Sequence, residues 1–149
     1  MNIYDCFMYF VEDLLLDLRL HTLNKFVKKF VITEATYTHN GNKKKLNFDI
    51  EKFKKFKDKI TYIIVDDQPD NIKPLLKNEA KHKRGEKLIL NGMARDYYQR
   101  ENLLKGIKEA EENDLIIISD LDEIPNLNQL NFNEIDNNIV IFEQKMFYY

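Results

Sequence analysis

The sequence has little of what staples, bends or anchors a chain: one cysteine, four glycines, three prolines and no tryptophan in 149 residues. With Cys6 alone, no internal disulfide can form and no thiolate cluster can hold a metal, which fits a reducing compartment. A cytoplasmic location is the expectation. The scarcity of glycine and proline, beside 44% apolar and 32% charged residues, excludes a disordered or low-complexity chain. The start, Met1 to Cys6, lacks a basic stretch followed by an apolar one. Nowhere is an uninterrupted apolar run long enough to cross a bilayer, so no membrane span is expected. Nor does one sign of charge dominate: 23 basic and 25 acidic side chains leave a formal net charge of −2, which predicts no general attraction to nucleic acid. Lysines crowd residues 43–59, but Glu51 and Asp58 interleave them, the pattern of a solvated helix face and loop. The length predicts one domain, 1–149, with one substantial core.

What the sequence does have is concentrated in residues 114–125. Four apolar residues, Leu115 to Ile118, follow a polar segment and stop at Ser119, as in a strand buried on both faces of a parallel sheet. The acids begin where the strand ends, and open α/β sheets hold their ligands beyond the carboxyl ends of the strands. In an extended chain Asp120 and Asp122 project to one side while Leu121 turns inward. Two hard carboxylates so placed suit Mg²⁺ or Mn²⁺, which complete their shell with water and substrate phosphate oxygens. Pro125 favours a defined turn after them. A bare Asp-x-Asp more often only solvates a turn or caps a helix; the strand before it and Glu123-Ile124-Pro125 after it shift the balance toward a site. Phosphatases of the haloacid dehalogenase type also carry Asp-x-Asp after a strand. They carry it on the first strand with Thr or Val following, whereas here it comes late and Glu follows.

Taken in order, residues 3–10 read as a first strand, 12–26 as a helix and 29–34 as a second strand ending at Glu34. On the helix, Val11, Leu14, Leu15, Leu18, Leu20, Leu23 and Phe26 form a wide apolar arc. Glu12 and Arg19 fall within it, and a buried charge needs a partner, so each is expected to be paired or to border a polar site. The polar stretch 35–42 carries the Asn40-Gly41 turn signal. Residues 49–57 have helical spacing at Ile50, Phe53 and Phe56, and 59–65 form a third strand that ends on Asp66 and Asp67. Residues 68–92 read as a long loop with at most one short helix. Residues 93–110 read as a helix whose apolar arc holds Met93, Tyr97, Leu103, Leu104, Ile107 and Ala110. Asp96 and Arg100 lie in the same arc, four residues apart. Two readings of Arg100 stand side by side: an ion pair with Asp96, or a guanidinium aimed at the acids of the strand end or at a substrate diphosphate. A short helix is expected near 127–130 and a strand at 138–144, before an apolar aromatic end that looks cut short. His21, His39 and His82 have no ligand-like spacing and take no role.

Five stretches carry a resemblance when taken together: Ile3-Tyr4-Asp5-Cys6-Phe7-Met8-Tyr9-Phe10, Leu14-Leu15-Leu16-Asp17-Leu18-Arg19-Leu20, Phe30-Val31-Ile32-Thr33-Glu34 with the 38–41 turn, Arg95-Asp96-Tyr97-Tyr98-Gln99-Arg100, and residues 116–125. In this order they resemble glycosyltransferase family 17, whose best known members are the bisecting beta-1,4-mannosyl-glycoprotein beta-1,4-N-acetylglucosaminyltransferases. The resemblance implies an α/β fold of the GT-A, Rossmann-like type, with a mostly parallel sheet flanked by helices and shortened on its C-terminal side. It also implies a UDP-sugar donor such as UDP-N-acetylglucosamine, a glycan or other hydroxyl acceptor, Mn²⁺ or Mg²⁺, and transfer with inversion. Asp120 and Asp122 match the family's metal-binding pair. Glu34, Asp66, Asp67, Arg100 and Asp120 are the expected nucleotide-sugar contacts. The eukaryotic members' amino-terminal membrane anchor is not matched here. The family extends past the position matching Tyr149, so the acceptor region and the catalytic base are expected to lie beyond this stretch; Glu123 is a candidate base by proximity only. The competing expectation is a binding module that holds metal and nucleotide sugar without transfer, or works only as a homo-oligomer or beside a partner chain.

Overall fold

The computed structural model describes residues 1–132, 135 and 139–145. Its elements are β1 (Ile3–Met8), α1 (Asp13–Leu23), β2 (Lys29–Ala35), a 3-10 helix (Ile50–Lys59), β3 (Ile60–Val65), α2 (Lys81–Glu101), a second 3-10 helix (Asn102–Gly106), β4 (Leu115–Ile118) and a third (Leu127–Gln129). The strands pair in the order β3-β2-β1-β4, and every pairing is parallel. This is the expected α/β class. Parallel neighbours require crossovers, and the helical segments supply them.

The alternation of β1 explains its position. Ile3 and Phe7 pack on the α1 side, with Leu16, Leu20, Leu23 and the buried Phe53 and Phe56 of the first 3-10 helix. Tyr4 and Cys6 pack on the other side with Val31 and Leu103. A strand covered on both faces reads as a nearly continuous apolar run, interrupted here only by Asp5.

The chain steps from β1 to β2 to β3 in one direction and then returns to lay β4 on the other side of β1. The strand order therefore reverses between β1 and β4. In open α/β sheets such a reversal opens a crevice outside the carboxyl ends of the two strands.

Several expectations are corrected. Leu14 and Leu18 of α1 face solvent, Leu14 at 82% exposure, while Leu16, Arg19, Leu20 and Leu23 face inward. The helix is turned so that Arg19 reaches Asp5 of β1, and the leucines on its flank are left outside. Glu12 is exposed, and its Oε2 accepts from the amides of Phe10 and Val11. The segment expected as a helix at 49–57 is a 3-10 helix kinked at Phe53. Burying Phe53 and Phe56, three residues apart, matches the 3-10 repeat. Residues 81–92 are helical rather than loop, and α2 stops at Glu101 instead of running to 110. A tighter turn follows because Gly106 lies against β2, where an added Cβ would come 2.3 Å from Val31 Cγ1. The buried stripe of α2 is Asn91, Arg95 and Gln99, while Met93, Tyr97 and Leu104 are exposed. Strand β4 pairs only with β1 among the described residues, and of its apolar run Ile117 is buried whereas Ile118 is exposed rather than covered. Residues 139–145 form no strand; Asn138 and residues 146–149 lie outside the described residues. Among the described residues no helix is long and apolar enough to cross a membrane.

Two buried groups set an alkaline limit on stability. Burial, then the charge of Asp5, pushes the Cys6 thiol from 9.0 up to about 12 against the pull of Arg19. Burial, with Tyr98 next, pushes the Tyr37 phenol from 10.0 up to about 12. Both pKa values are raised on folding, so their contribution is complete below the unfolded values and is lost as pH climbs toward the folded ones. Thermal melts should hold level to about pH 8 and fall steadily toward about pH 11. At neutral pH a thiol reagent should modify Cys6 only after denaturation.

Candidate functional site

The site grows out of one buried ion pair. Asp5 and Arg19 each have 0% of their side chain exposed. Arg19 Nε donates to Asp5 Oδ2 at 2.9 Å and Nη2 to Oδ1 at 2.7 Å, a two-pronged bond matching the fork of the guanidinium. The remaining hydrogens go to the segment leaving β4. Nη1 donates to the carbonyls of Asp120 (2.7 Å), Leu121 (3.1 Å) and Glu123 (3.2 Å), and Nη2 to Ser119 Oγ (2.7 Å). Arg19 thus joins β1, α1 and the acid segment into one unit, and the face of Phe7 lies 4.6 Å from its Cζ.

Residues 120–123 are a turn rather than an extended run, which corrects the alternation expected for the two aspartates. The Glu123 amide donates to the Asp120 carbonyl at 3.1 Å, and Glu123 Oε2 accepts from the Asp120 amide at 3.0 Å. Ser119 Oγ donates to the Glu123 carbonyl at 3.1 Å. Leu121 is buried, which anchors the turn, and Asp120 and Asp122 on either side of it are exposed. Asp122 makes no side-chain hydrogen bond or ion pair to the described residues. Glu123 helps to close the turn through its amide and its Oε2.

Arg100 satisfies both readings made of it. Its Nη2 lies 2.9 Å from Asp120 Oδ1 and 3.6 Å from Asp96 Oδ2. Partial burial pulls its pKa down, but the bond and charge of Asp120, with Asp96 behind, raise it on balance. His39 Nε2 approaches Asp96 to 3.8 Å. Arg100 also lines a cleft of about 720 Å³ with Pro69, Asp70, Tyr97, Leu104 and Ile118. That volume falls within the range of small-ligand pockets. Asp120 does not line the cleft itself; Arg100 links the two.

The other expected residues lie at the same ends of the neighbouring strands. Asp66 and Asp67 are exposed just past β3. They stand three strand spacings from β4, about 14 Å. The Asp67 carbonyl accepts from Tyr37 OH at 2.7 Å. Glu34 has no exposed surface, and its carboxylate is surrounded by Lys44, Asn47, Phe48 and Tyr62. It holds the 36–48 loop rather than offering a free oxygen to a ligand.

Sequence reasoning gave Arg95 no role of its own; it stands there only as the first residue of one resembling stretch. Its Nε donates to Gln68 Oε1 at 2.6 Å and its Nη1 to the His39 carbonyl at 2.8 Å, so it ties together the loops after β2 and β3. Gly41 above it has φ +82°, and a Cβ there would meet Arg95 Nη2 at 2.5 Å. The Asn40-Gly41 turn signal was the only trace of this arrangement.

The sequence model of Glycosyltransferase family 17 matches residues 1–146. The chain belongs to glycosyltransferase family 17. No curated protein and no solved structure matches it. Family membership supports glycosyl transfer as the activity of the chain. Whether a divalent ion suits this family 17 site depends on the donors present. Among the described residues no cluster of three or more His, Cys, Asp or Glu side chains could cage a metal. Two exposed carboxylates, Asp122 without a partner among the described residues, fit an ion that takes one or two protein oxygens and keeps water and phosphate for the rest. Asp122 and Asp120 would hold it.

Proposed function

We propose that the chain is a metal-dependent glycosyltransferase of GT-A type that moves a sugar, N-acetylglucosamine, from a UDP-sugar donor to a hydroxyl of a glycan acceptor with inversion. The observation that carries this is the Asp120-Leu121-Asp122 turn at the β1/β4 reversal, fastened from below by the Asp5–Arg19 pair. A donor laid across the strand ends would place its base and ribose near Asp66 and Asp67 and its diphosphate at Asp120. Mn²⁺ or Mg²⁺, when bound, supplies Lewis-acid neutralisation of the departing diphosphate. Asp120 and Asp122 supply its protein oxygens, and Arg19 keeps their backbone from moving. Inversion requires the acceptor hydroxyl to attack the anomeric carbon from the face opposite the diphosphate, its proton passing to a carboxylate base. Glu123 stands beside the two aspartates, but its Oε2 accepts from the Asp120 amide and so helps to close the turn.

Calorimetric titration of UDP and UDP-N-acetylglucosamine, with and without Mn²⁺, tests the proposal. Binding should require the ion. Asp122→Ala should weaken ion-dependent binding by about tenfold or more, equivalent to about 1.4 kcal/mol. Its melting temperature should stay native, since Asp122 is exposed and its side chain holds no other group among the described residues. Donor turnover unaffected by Asp122→Ala would sink the proposal, and ion-dependent UDP binding without turnover would favour a binding module.

A further inference from the structure

We propose that Arg100 is a resident cation of the acid turn: it neutralises Asp120 while no metal is bound, and passes to the donor diphosphate when a divalent ion takes that carboxylate. This rests on the metal-dependent transfer proposed above. Three observations support it.

First, the guanidinium sits between two carboxylates of different attachment. Asp120 Oδ1 is 2.9 Å from Nη2, and Asp96 Oδ2, one turn back on α2, is 3.6 Å from the same nitrogen. Giving up Asp120 therefore leaves Arg100 with a counter-ion on its own helix. Second, only one of the two aspartates of the turn is balanced. Asp122 has no cationic partner among the described residues, so the turn keeps an excess negative charge that draws in a further cation. Third, Arg100 lines the open cleft beside the turn, so its side chain can rotate without entering the core.

The charges agree with an exchange. A divalent ion balances both aspartates and leaves the guanidinium unneeded there, while the diphosphate brings new negative charge to the same place. A planar fork of N–H donors matches phosphate oxygens as well as it matches a carboxylate. The exchange makes and breaks only ion pairs and hydrogen bonds.

Two measurements on the intact chain test the proposal in opposite directions. Mn²⁺ binding without nucleotide is followed by electron paramagnetic resonance, and UDP and uridine binding at saturating Mn²⁺ by calorimetry. Arg100→Gln should bind Mn²⁺ about three- to fivefold more tightly, because the ion no longer displaces a part-exposed ion pair. The same variant should bind UDP about tenfold more weakly, with uridine affinity unchanged. Arg100→Lys keeps the charge without the fork, so its Mn²⁺ affinity should stay near native while UDP binding falls in part. Mn²⁺ binding unchanged or weakened in Arg100→Gln, or uridine affinity falling as far as UDP, would overturn the role while leaving native ion-dependent UDP binding intact. A native chain whose UDP binding ignores Mn²⁺ would overturn the transfer proposal, and this role with it.

Discussion

Arg19→Leu is expected to lower stability by about 3–5 kcal/mol, the usual cost of removing one partner of a buried ion pair. For a chain of this length that is a fall of about 10–15 °C in melting temperature. The cost arises because Asp5 stays behind with 0% exposure and no counter-ion, and the carbonyls of residues 120, 121 and 123 lose their shared donor. A second substitution separates stability from site geometry. Pairing Arg19→Leu with Asp5→Leu removes the orphaned carboxylate, and buried ion pairs replaced on both sides by apolar groups often recover their stability. The double variant should therefore melt well above Arg19→Leu yet still bind UDP poorly, since the guanidinium that ties the acid turn to β1 and α1 is gone. Thermal melts and calorimetry on the native chain and the two variants check this. A double variant that regains stability and UDP binding together would show that the turn holds its shape without Arg19.

How much of this was legible in the sequence varied with the kind of force involved. The strands were legible because parallel strands bury both faces, and the near-continuous apolar runs of β1, β2 and β3 say so. The acid turn was legible by its place after such a run. Arg19 was legible only as a problem: a charge within an apolar arc demanded a partner, and Asp5 within an apolar strand was the matching half, but neither sequence position names the other. Its effect on α1 was not legible. The leucine count favoured one face of the helix, and a single ion pair with six hydrogen bonds turned another face inward. Helix α2 was the clearest failure of periodicity, for a similar reason. Asn91 bonds the backbone of Lys73 in both directions, Arg95 reaches His39 and Gln68, and Gln99 donates to the Thr33 carbonyl. The helix is held to the sheet and loops by polar side chains on backbone groups, a pattern a search for apolar spacing passes over. The extended geometry assumed for Asp120 and Asp122 failed because alternation stops where the ladder stops, and the Asp120 carbonyl is free to accept from Glu123 only once the chain has turned.

Glu34→Ala should cost as much as the loss of Arg19, about 3–5 kcal/mol, because a buried carboxylate with several donors is removed from a dry site. Glu34 Oε1 accepts from Lys44 Nζ and from the amide of Asn47 at 2.8 Å; Oε2 accepts from the amide of Phe48 at 3.1 Å and from Tyr62 OH at 2.8 Å. Without the carboxylate the Lys44 ammonium keeps only the Lys45 carbonyl at 3.4 Å, the Asn47 and Phe48 amides lose their acceptor, and the loop that crosses from β2 toward the end of β1 loses its inner anchor. That loop also donates from Asn47 Nδ2 to the Phe10 carbonyl, and stacks Phe48 on Tyr62 with ring centres 4.5 Å apart. Hydrogen exchange at the Asn47 and Phe48 amides should therefore accelerate first, ahead of global unfolding. Glu34→Gln should fall between native and alanine for a specific reason. Its amide oxygen can keep the Oε1 partners, and its NH2 then faces the Oε2 partners. Tyr62 can reverse and accept, because a phenol both donates and accepts, whereas the Phe48 amide cannot. Faster exchange confined to Phe48 in the glutamine variant, and at both amides in the alanine variant, is the expected signature. Equal exchange at both positions in all three chains would show that Glu34 does not hold the loop, and would return it to consideration as a direct contact of the donor.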